Sequence, residues 1–293
     1  MLRLASRRSP LAMLQATYVA ERLASLGVTS EIVPLETQAD QRLDVPIASF
    51  GGQGAFAVEI QRAVLDGRAD VAVHSAKDLP SMTPEGLVFA CVPQRVDARD
   101  VLVGRSLEGL GPGATVATGS PRRRAFLLER RPDLTIVELR GNMATRLSHV
   151  GNGVDAIVAA AAALTRLTLT DVVAEYLDPT WFVPQVGQGA LALECRSDDA
   201  VTRAHLIELH DVLAGRELLA ERAFLRELGA GCSLPVAAHA TAHADQVRVS
   251  AVMAHRDGVR SVRAVREGDD PEALGAALAS YLRDERGGAA LVG

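Results

Sequence analysis

The segment Val71-Ala-Val-His-Ser-Ala-Lys-Asp-Leu-Pro80 sets an ammonium and a carboxylate side by side where an apolar run ends. A carboxylate so placed can stabilise a developing cation or pass a proton. A capped turn ahead of Pro80 would use the same residues structurally, and His74 alone reads as a satisfied strand-end histidine. Lys77 is the only lysine among 31 Lys and Arg residues. Either chance left it there, or the position needs a compact ammonium rather than a planar guanidinium.

Arginines form the second group: Arg7 and Arg8, Arg122 to Arg124, Arg140 with Arg146, and Arg166. Guanidinium forks match carboxylates bidentately. Several fall at expected helix starts, where the dipole disfavours a cation, so their presence points to an anionic ligand. Solvated helix faces are the plain alternative, preferred for Arg130 and Arg131. Charge-assisted hydrogen bonds contribute roughly 1.5–3 kcal/mol each before desolvation, so five or six suit a ligand rich in carboxylates or phosphates.

Of three cysteines, Cys91 and Cys195 lie in apolar strand-like runs, whereas Cys232 sits in the glycine-rich loop Leu228-Gly-Ala-Gly-Cys232. There a functional thiol and a small loop residue are both open readings. Three cysteines make no disulfide framework, and their spacing makes no metal site. Phe50-Gly-Gly-Gln-Gly54, followed by Phe56, is a mobile lid or a plain connector. It lacks the Gly-Lys-Ser/Thr of a phosphate-binding loop.

The elements that must position these groups alternate. Strands are expected at residues 2–5, 31–35 and 71–74, with helices at 9–26 and 56–66. A second unit starts near Asp97, with strands at 115–118, 135–139 and 154–159. Each of these leads through a small-residue turn to an arginine-bearing helix start. In such α/β units ligands bind at the carboxyl ends of the strands, so the basic turns should converge on one cleft. From about residue 211 a helix at 217–227, strands at 236–241, 246–252 and 259–266, and a helix at 271–284 read as an α+β unit. The apolar stretch 188–195 returns to the first unit. The expected division is therefore residues 1–95 with 188–208, residues 97–187, and residues 211–293.

Net charge is −5, against a general nucleic-acid binder. No 18-residue apolar run or signal core is seen, so the reading is cytoplasmic, with no membrane partner.

Arg7-Arg-Ser-Pro-Leu-Ala12, Gly51-Gly-Gln-Gly54, His74-Ser-Ala-Lys-Asp-Leu-Pro80, Arg140-Gly-Asn142 with Thr145-Arg146, Val186-Gly-Gln-Gly-Ala190 and Gly231-Cys232 occur in an order and spacing that together resemble the hydroxymethylbilane synthase (porphobilinogen deaminase) family. The resemblance spans nearly the whole chain. It implies two type II periplasmic-binding-protein-like α/β domains with a cleft between them, plus a small C-terminal α+β domain. It implies a monomeric transferase that joins four porphobilinogens on a dipyrromethane held by a thioether at Cys232, losing ammonia each time, and releases a linear tetrapyrrole by hydrolysis. It assigns catalysis to Asp78. Cofactor contacts fall to Ser75, Lys77, Asp78, Thr118, Ser120, Arg122, Arg123, Arg140 and Gly141. Substrate contacts fall to Arg7, Ser9, Phe56, Arg140, Arg146, Arg166 and Gln188, and no metal is implied. The chain departs from the family pattern at Gln53, Pro121 and Ala163. A non-enzymatic anion- or solute-binding protein of the same two-domain fold is the competing reading. It explains the arginines but has no use for a loop cysteine with a Lys-Asp turn.

Overall fold

The computed structural model describes residues 1–37, 54, 56–229 and 234–292. The chain opens with strand β1 (Leu2–Arg7), helix α1 (Pro10–Ser25), β2 (Ser30–Leu35), α2 (Val58–Leu65) and β3 (Val71–Ser75), which runs into a tight turn at Ala76–Asp78. Then come β4 (Leu87–Cys91), β5 (Asp100–Val103), β6 (Thr115–Ala117), α3 (Pro121–Arg130), β7 (Thr135–Val137), α4 (Met143–Leu147), β8 (Ala156–Ala160), α5 (Ala161–Arg166) and β9 (Val173–Tyr176). The remainder is β10 (Leu191–Arg196), α6 (Ala200–Ile207), α7 (Val212–Leu228), β11 (Val236–His243), β12 (Gln246–Ala254), β13 (Ser261–Gly268), α8 (Pro271–Ser280) and α9 (Ala289–Val292).

Two five-stranded sheets share one plan. The first has the order β2-β1-β3-β10-β4 and the second β7-β6-β8-β5-β9. In each, three parallel strands adjoin one antiparallel strand, β10 in the first and β5 in the second. These two strands sit just beyond the segments by which the chain passes from one sheet to the other and back. The molecule is thus α/β, with a three-stranded antiparallel sheet, β11-β12-β13, near its end. The reading of the sequence passed over β5 and β9. Both are four residues long, and β5 opens on an aspartate.

Local chemistry explains the elements. β8 is buried along its whole length and β3 all but its last residue, as central parallel strands covered on both faces must be. Ser9 caps α1, accepting from Ala12 N at 3.3 Å, and Pro10 needs no donor at the first position. Asp211 caps α7 through Ala214 N at 3.0 Å, and Gly229 closes that helix in the left-handed conformation. α7 and α8 pack over the third sheet, with Phe224, Val249, Met253 and Leu278 in a shared core. This closing unit touches the second through Ser261 Oγ to Glu129 at 2.6 Å and Arg263 to the Trp181 carbonyl at 2.8 Å.

Candidate active site

β3 delivers the acid–base pair. His74, the last fully buried residue of that strand, lies 3.2 Å from Glu194 of β10. Glu194 also accepts from Gln61 Nε2 at 2.8 Å. Burial opposes the charge on Glu194, but His74, Gln61 and Arg222 outweigh it and hold the carboxyl below its usual range. His74 is therefore a structural partner. Ser75 follows, paired with the Gln15 side chain of α1 at 2.7 Å. Gln15 is 4% exposed on the otherwise apolar face formed by Ala12, Ala16, Val19 and Leu23. That lone polar residue in an apolar stripe was the available signal for it, and the sequence reading missed it.

Lys77 and Asp78 occupy the turn itself, both half-buried. Burial pushes the Lys77 ammonium down from 10.5 to about 8. Asp78 opposes that shift, while Arg123 and Arg146 reinforce it. Arg123 and Arg146 belong to the second sheet's unit, so the two units face one another across this turn. Arg146 is lowered by burial and by Arg123, and Asp78 pulls it the other way. Its Nε donates to the Gly141 carbonyl at 2.8 Å, and Asn142 caps α4 through Thr145 N at 3.0 Å. Arg140 precedes that cap and is half-buried.

Arg166 sits in the last turn of α5 rather than at a helix start, so the dipole there favours its cation. It donates to the Gly189 carbonyl at 3.0 Å, and burial lowers it to about 10. Gln15, Ser75, Lys77, Arg166, Gly187 and Gly189 border a cavity of about 20 Å³, room for about one water. Arg7 stacks its guanidinium 3.9 Å above the Phe56 ring.

Other expected ligand contacts prove to be committed within the protein. Arg122 is 2% exposed, bonded through Nη2 to Asp100 at 2.8 Å and through Nη1 to the Val183 carbonyl at 2.7 Å. Arg123, 8% exposed, binds the same carboxylate through Nε at 2.9 Å and the Val158 carbonyl through Nη1 at 3.0 Å. Burial works against Asp100, but the two arginines hold its carboxyl down. The cations at the start of α3 thus answer a buried aspartate in β5. Arg123 still bears on Lys77, whereas Arg122 is a core residue. Gln188 is fully buried and donates to the Ala98 carbonyl at 2.7 Å. It supports the crossing segment. The Thr118 hydroxyl accepts from Ser120 N at 3.2 Å, and Ser120 caps α3 as Ser9 caps α1. These three hydroxyls build turns. Cys232 and Gln53 lie outside the described residues.

The crossing segments carry a second polar centre that the sequence reading missed. Arg95 binds Glu221 at 2.8 Å, Glu217 at 3.2 Å and the Gln188 carbonyl at 2.9 Å. Glu221 also accepts from Gly187 N at 2.7 Å and Ala240 N at 2.8 Å. Glu217 and Glu221, four apart on α7, share one helix face. That spacing was the visible sign. Gly187 has φ +72°, and a Cβ there would lie 2.8 Å from Lys77 N. The junction therefore rests directly against the Ala76–Lys77 peptide.

The arrangement gathers Lys77, Arg146, Arg166 and part of Arg123 in partly dry surroundings, where Asp78 bears on both Lys77 and Arg146 and Asp100 also bears on Lys77. Such a donor set suits a ligand bearing several carboxylates, with one acid aimed at a cationic centre. The comparisons agree. A family model described as porphobilinogen deaminase, dipyromethane cofactor binding domain, matches residues 2–204, and one described as porphobilinogen deaminase, C-terminal domain, matches residues 216–284. The porphobilinogen deaminase of Syntrophotalea carbinolica is 45% identical over 96% of this chain and 92% of its own. That of Geobacillus kaustophilus is 45% identical over 98% and 95%. Among solved structures, a periplasmic substrate-binding protein of an ABC transporter from Coxiella burnetii aligns with 73% of this chain and 94% of its own, at 17% identity and a TM-score of 0.45.

Proposed function

The chain belongs to the porphobilinogen deaminase family, and on that premise we propose how its residues divide the reaction. The activity is that of a transferase of porphyrin and heme biosynthesis, hydroxymethylbilane synthase. Four porphobilinogen molecules are joined head to tail on a dipyrromethane cofactor with loss of ammonia, and the linear tetrapyrrole is released by hydrolysis. The cofactor, when bound, supplies the pyrrole end on which the chain grows.

The residues fit that group. Each pyrrole unit bears an acetate and a propionate, and a buried ammonium held near 8 is what a carboxylate partner would relieve. Lys77, Arg123, Arg140 and Arg146 hold cofactor and substrate carboxylates, with Arg7 and Arg166 as further cations for the substrate. Phe56, fixed beneath Arg7, offers a ring face. Asp78 accepts hydrogen bonds from pyrrole nitrogens and stabilises the positive charge that develops as ammonia leaves. The observation that carries this reading is the Lys77–Asp78 turn facing Arg123 and Arg146 across the two units.

Cys232 is the tether. The other two cysteines support this by their condition. Cys91 and Cys195 are buried, and burial pushes the Cys91 thiol up to about 12 and raises that of Cys195. Neither offers a thiolate. No helix among the described residues is long and apolar enough to cross a membrane, and we place the enzyme in the cytoplasm. Intact mass tests the tether. The natural protein is expected to exceed its sequence mass by two porphobilinogens less two ammonias, and Cys232→Ala to show no excess. An excess retained in the variant would remove Cys232. An unmodified natural protein that porphobilinogen cannot convert would remove the cofactor reading.

The lone lysine permits a direct test of the charge balance. In Cys232→Ala, acylation at Lys77, read by peptide mass, is expected to reach half its limiting rate near pH 8, and in the loaded natural protein clearly higher. The stability sign follows. Without the cofactor, Lys77 is protonated in both folded and unfolded chains below about 8. Between there and 10.5 the unfolded chain binds more protons, so stability rises with pH across that window. An unmoved midpoint on loading would show that Lys77 does not meet the cofactor's carboxylates.

A further inference from the structure

We propose that Arg222 is a positioning residue for Asp78, coupling the helix that leads to the Cys232 loop to the turn that carries the catalytic carboxylate. The proposal rests on the assignment of Asp78 made above. Arg222 lies on α7, one residue beyond Glu221 and 142 and 141 residues from its two partners in the chain. Its Nη1 donates to the Pro80 carbonyl at 2.9 Å and its Nη2 to the Ser81 carbonyl at 3.1 Å. The guanidinium also lies 5.4 Å above the Phe89 ring. Two successive carbonyls met by two nitrogens of one planar fork fix both the position and the orientation of that backbone.

The backbone so fixed is the exit of the catalytic turn. Asp78 ends a single 3₁₀ turn, and Leu79 follows in extended conformation, 5% exposed. With the Leu79 side chain anchored and Pro80 restricted in φ, a shift at Pro80 passes back to Asp78. On the entry side, Ser75 is tied to Gln15 and Gly187 packs against the Ala76–Lys77 peptide. Arg222 supplies the matching hold on the exit side, from the element that runs into the Cys232 loop.

Among the described residues its charge is not met by a dedicated carboxylate. Burial lowers the Arg222 proton affinity, Glu194 partly restores it, and Arg226 opposes. Glu194 is itself engaged by His74 and Gln61. The junction between units is carried one position earlier by Arg95 with Glu221 and Glu217. Two backbone acceptors, with no close ion pair among the described residues, are what aligning a turn requires.

The test uses purified, cofactor-loaded Arg222→Met and Arg222→Lys beside Asp78→Asn. Cofactor occupancy is read by intact mass, and kcat and KM are measured for porphobilinogen. Arg222→Met is expected to keep full occupancy and lose at least about tenfold in kcat, with KM within about twofold, because a small displacement of a reacting group costs that much. Arg222→Lys, able to reach one carbonyl, should recover part of the loss. A kcat for Arg222→Met within about twofold of the parent, a loss that scales with missing cofactor, or an absence of rescue by lysine would each overturn the proposal. Asp78→Asn separates the two readings. If it is inactive while Arg222→Met is normal, only the Arg222 proposal falls. If Asp78→Asn is itself fully active, the catalytic assignment falls with it.

Discussion

Replacing Asp78 with asparagine is expected to lower turnover by about 10²–10³-fold while leaving the covalent cofactor in place. Asparagine keeps the size of the side chain and its ability to accept one hydrogen bond, so the turn at Ala76–Asp78 should persist. What disappears is the negative charge. Lys77, Arg123 and Arg146 already surround this point with positive charge. A further cation developing on the pyrrole would then face Lys77 and Arg146 without the Asp78 charge, in a partly dry site where Coulomb terms are several-fold larger than in water. Substrate carboxylates would still find their arginines, so KM should move much less than kcat, the sign of an interaction made in the transition state. Steady-state kinetics on protein shown by intact mass to hold the cofactor checks this. Full turnover would remove Asp78 from the chemistry, and equal losses in kcat and cofactor content would assign it to assembly.

What could be read from the sequence was local. Ser9-Pro10, Ser120-Pro121 and Asn142 announce helix starts by side-chain capping, a short-range effect, and each caps a helix here. The Lys77–Asp78 turn was legible because an apolar strand runs straight into it. What failed was long-range pairing. Arg122 and Arg123 read as ligand contacts, and nothing in the sequence showed that Asp100, some twenty residues earlier, is buried between them. Gln188 looks like a cleft residue until its amide is found on the Ala98 carbonyl. No periodicity reveals which acid answers a buried arginine, because sheet order decides it, and β5 was too short to be noticed. The same blindness hid Gln15, Arg95 and Arg222, whose partners lie 60 to 142 residues away. Arg123, which bears on Lys77, and Arg122, held in the second unit's core, are neighbours in one short motif, and composition cannot separate them.

Glu221→Gln is expected to destabilise the protein by about 3–5 kcal/mol at neutral pH, the usual result of breaking a buried ion pair from one side. Both oxygens of Glu221 are engaged. One meets Arg95 Nη1 and Ala240 N at 2.8 Å each and lies 3.2 Å from His239, and the other meets Arg95 Nη2 at 3.1 Å and Gly187 N at 2.7 Å. A glutamine would turn an NH₂ group toward at least one of these donors and leave it unpaired in a dry place. It would also leave Arg95, 7% exposed at its side chain, with only Glu217 as counter-charge. The pH dependence separates this from a packing defect. Burial opposes the charge on Glu221, but Arg95 and His239 outweigh it and bring the carboxyl down to about 2. Its contribution is then complete above the ordinary glutamate value of about 4.3 and is lost as pH falls from there through about 2. The stability gap between parent and variant, measured by urea unfolding, should therefore be constant near neutrality and shrink as acid is added across that window. A gap that stayed constant down to the acid limit would mean that shape, not charge, holds the junction. Activity in the folded variant reports on the same contact. Gly187 N is a Glu221 donor, and Gly187 packs on the peptide that enters the catalytic turn. Loosening the junction should thus reach Lys77 and Asp78 even though Glu221 touches neither.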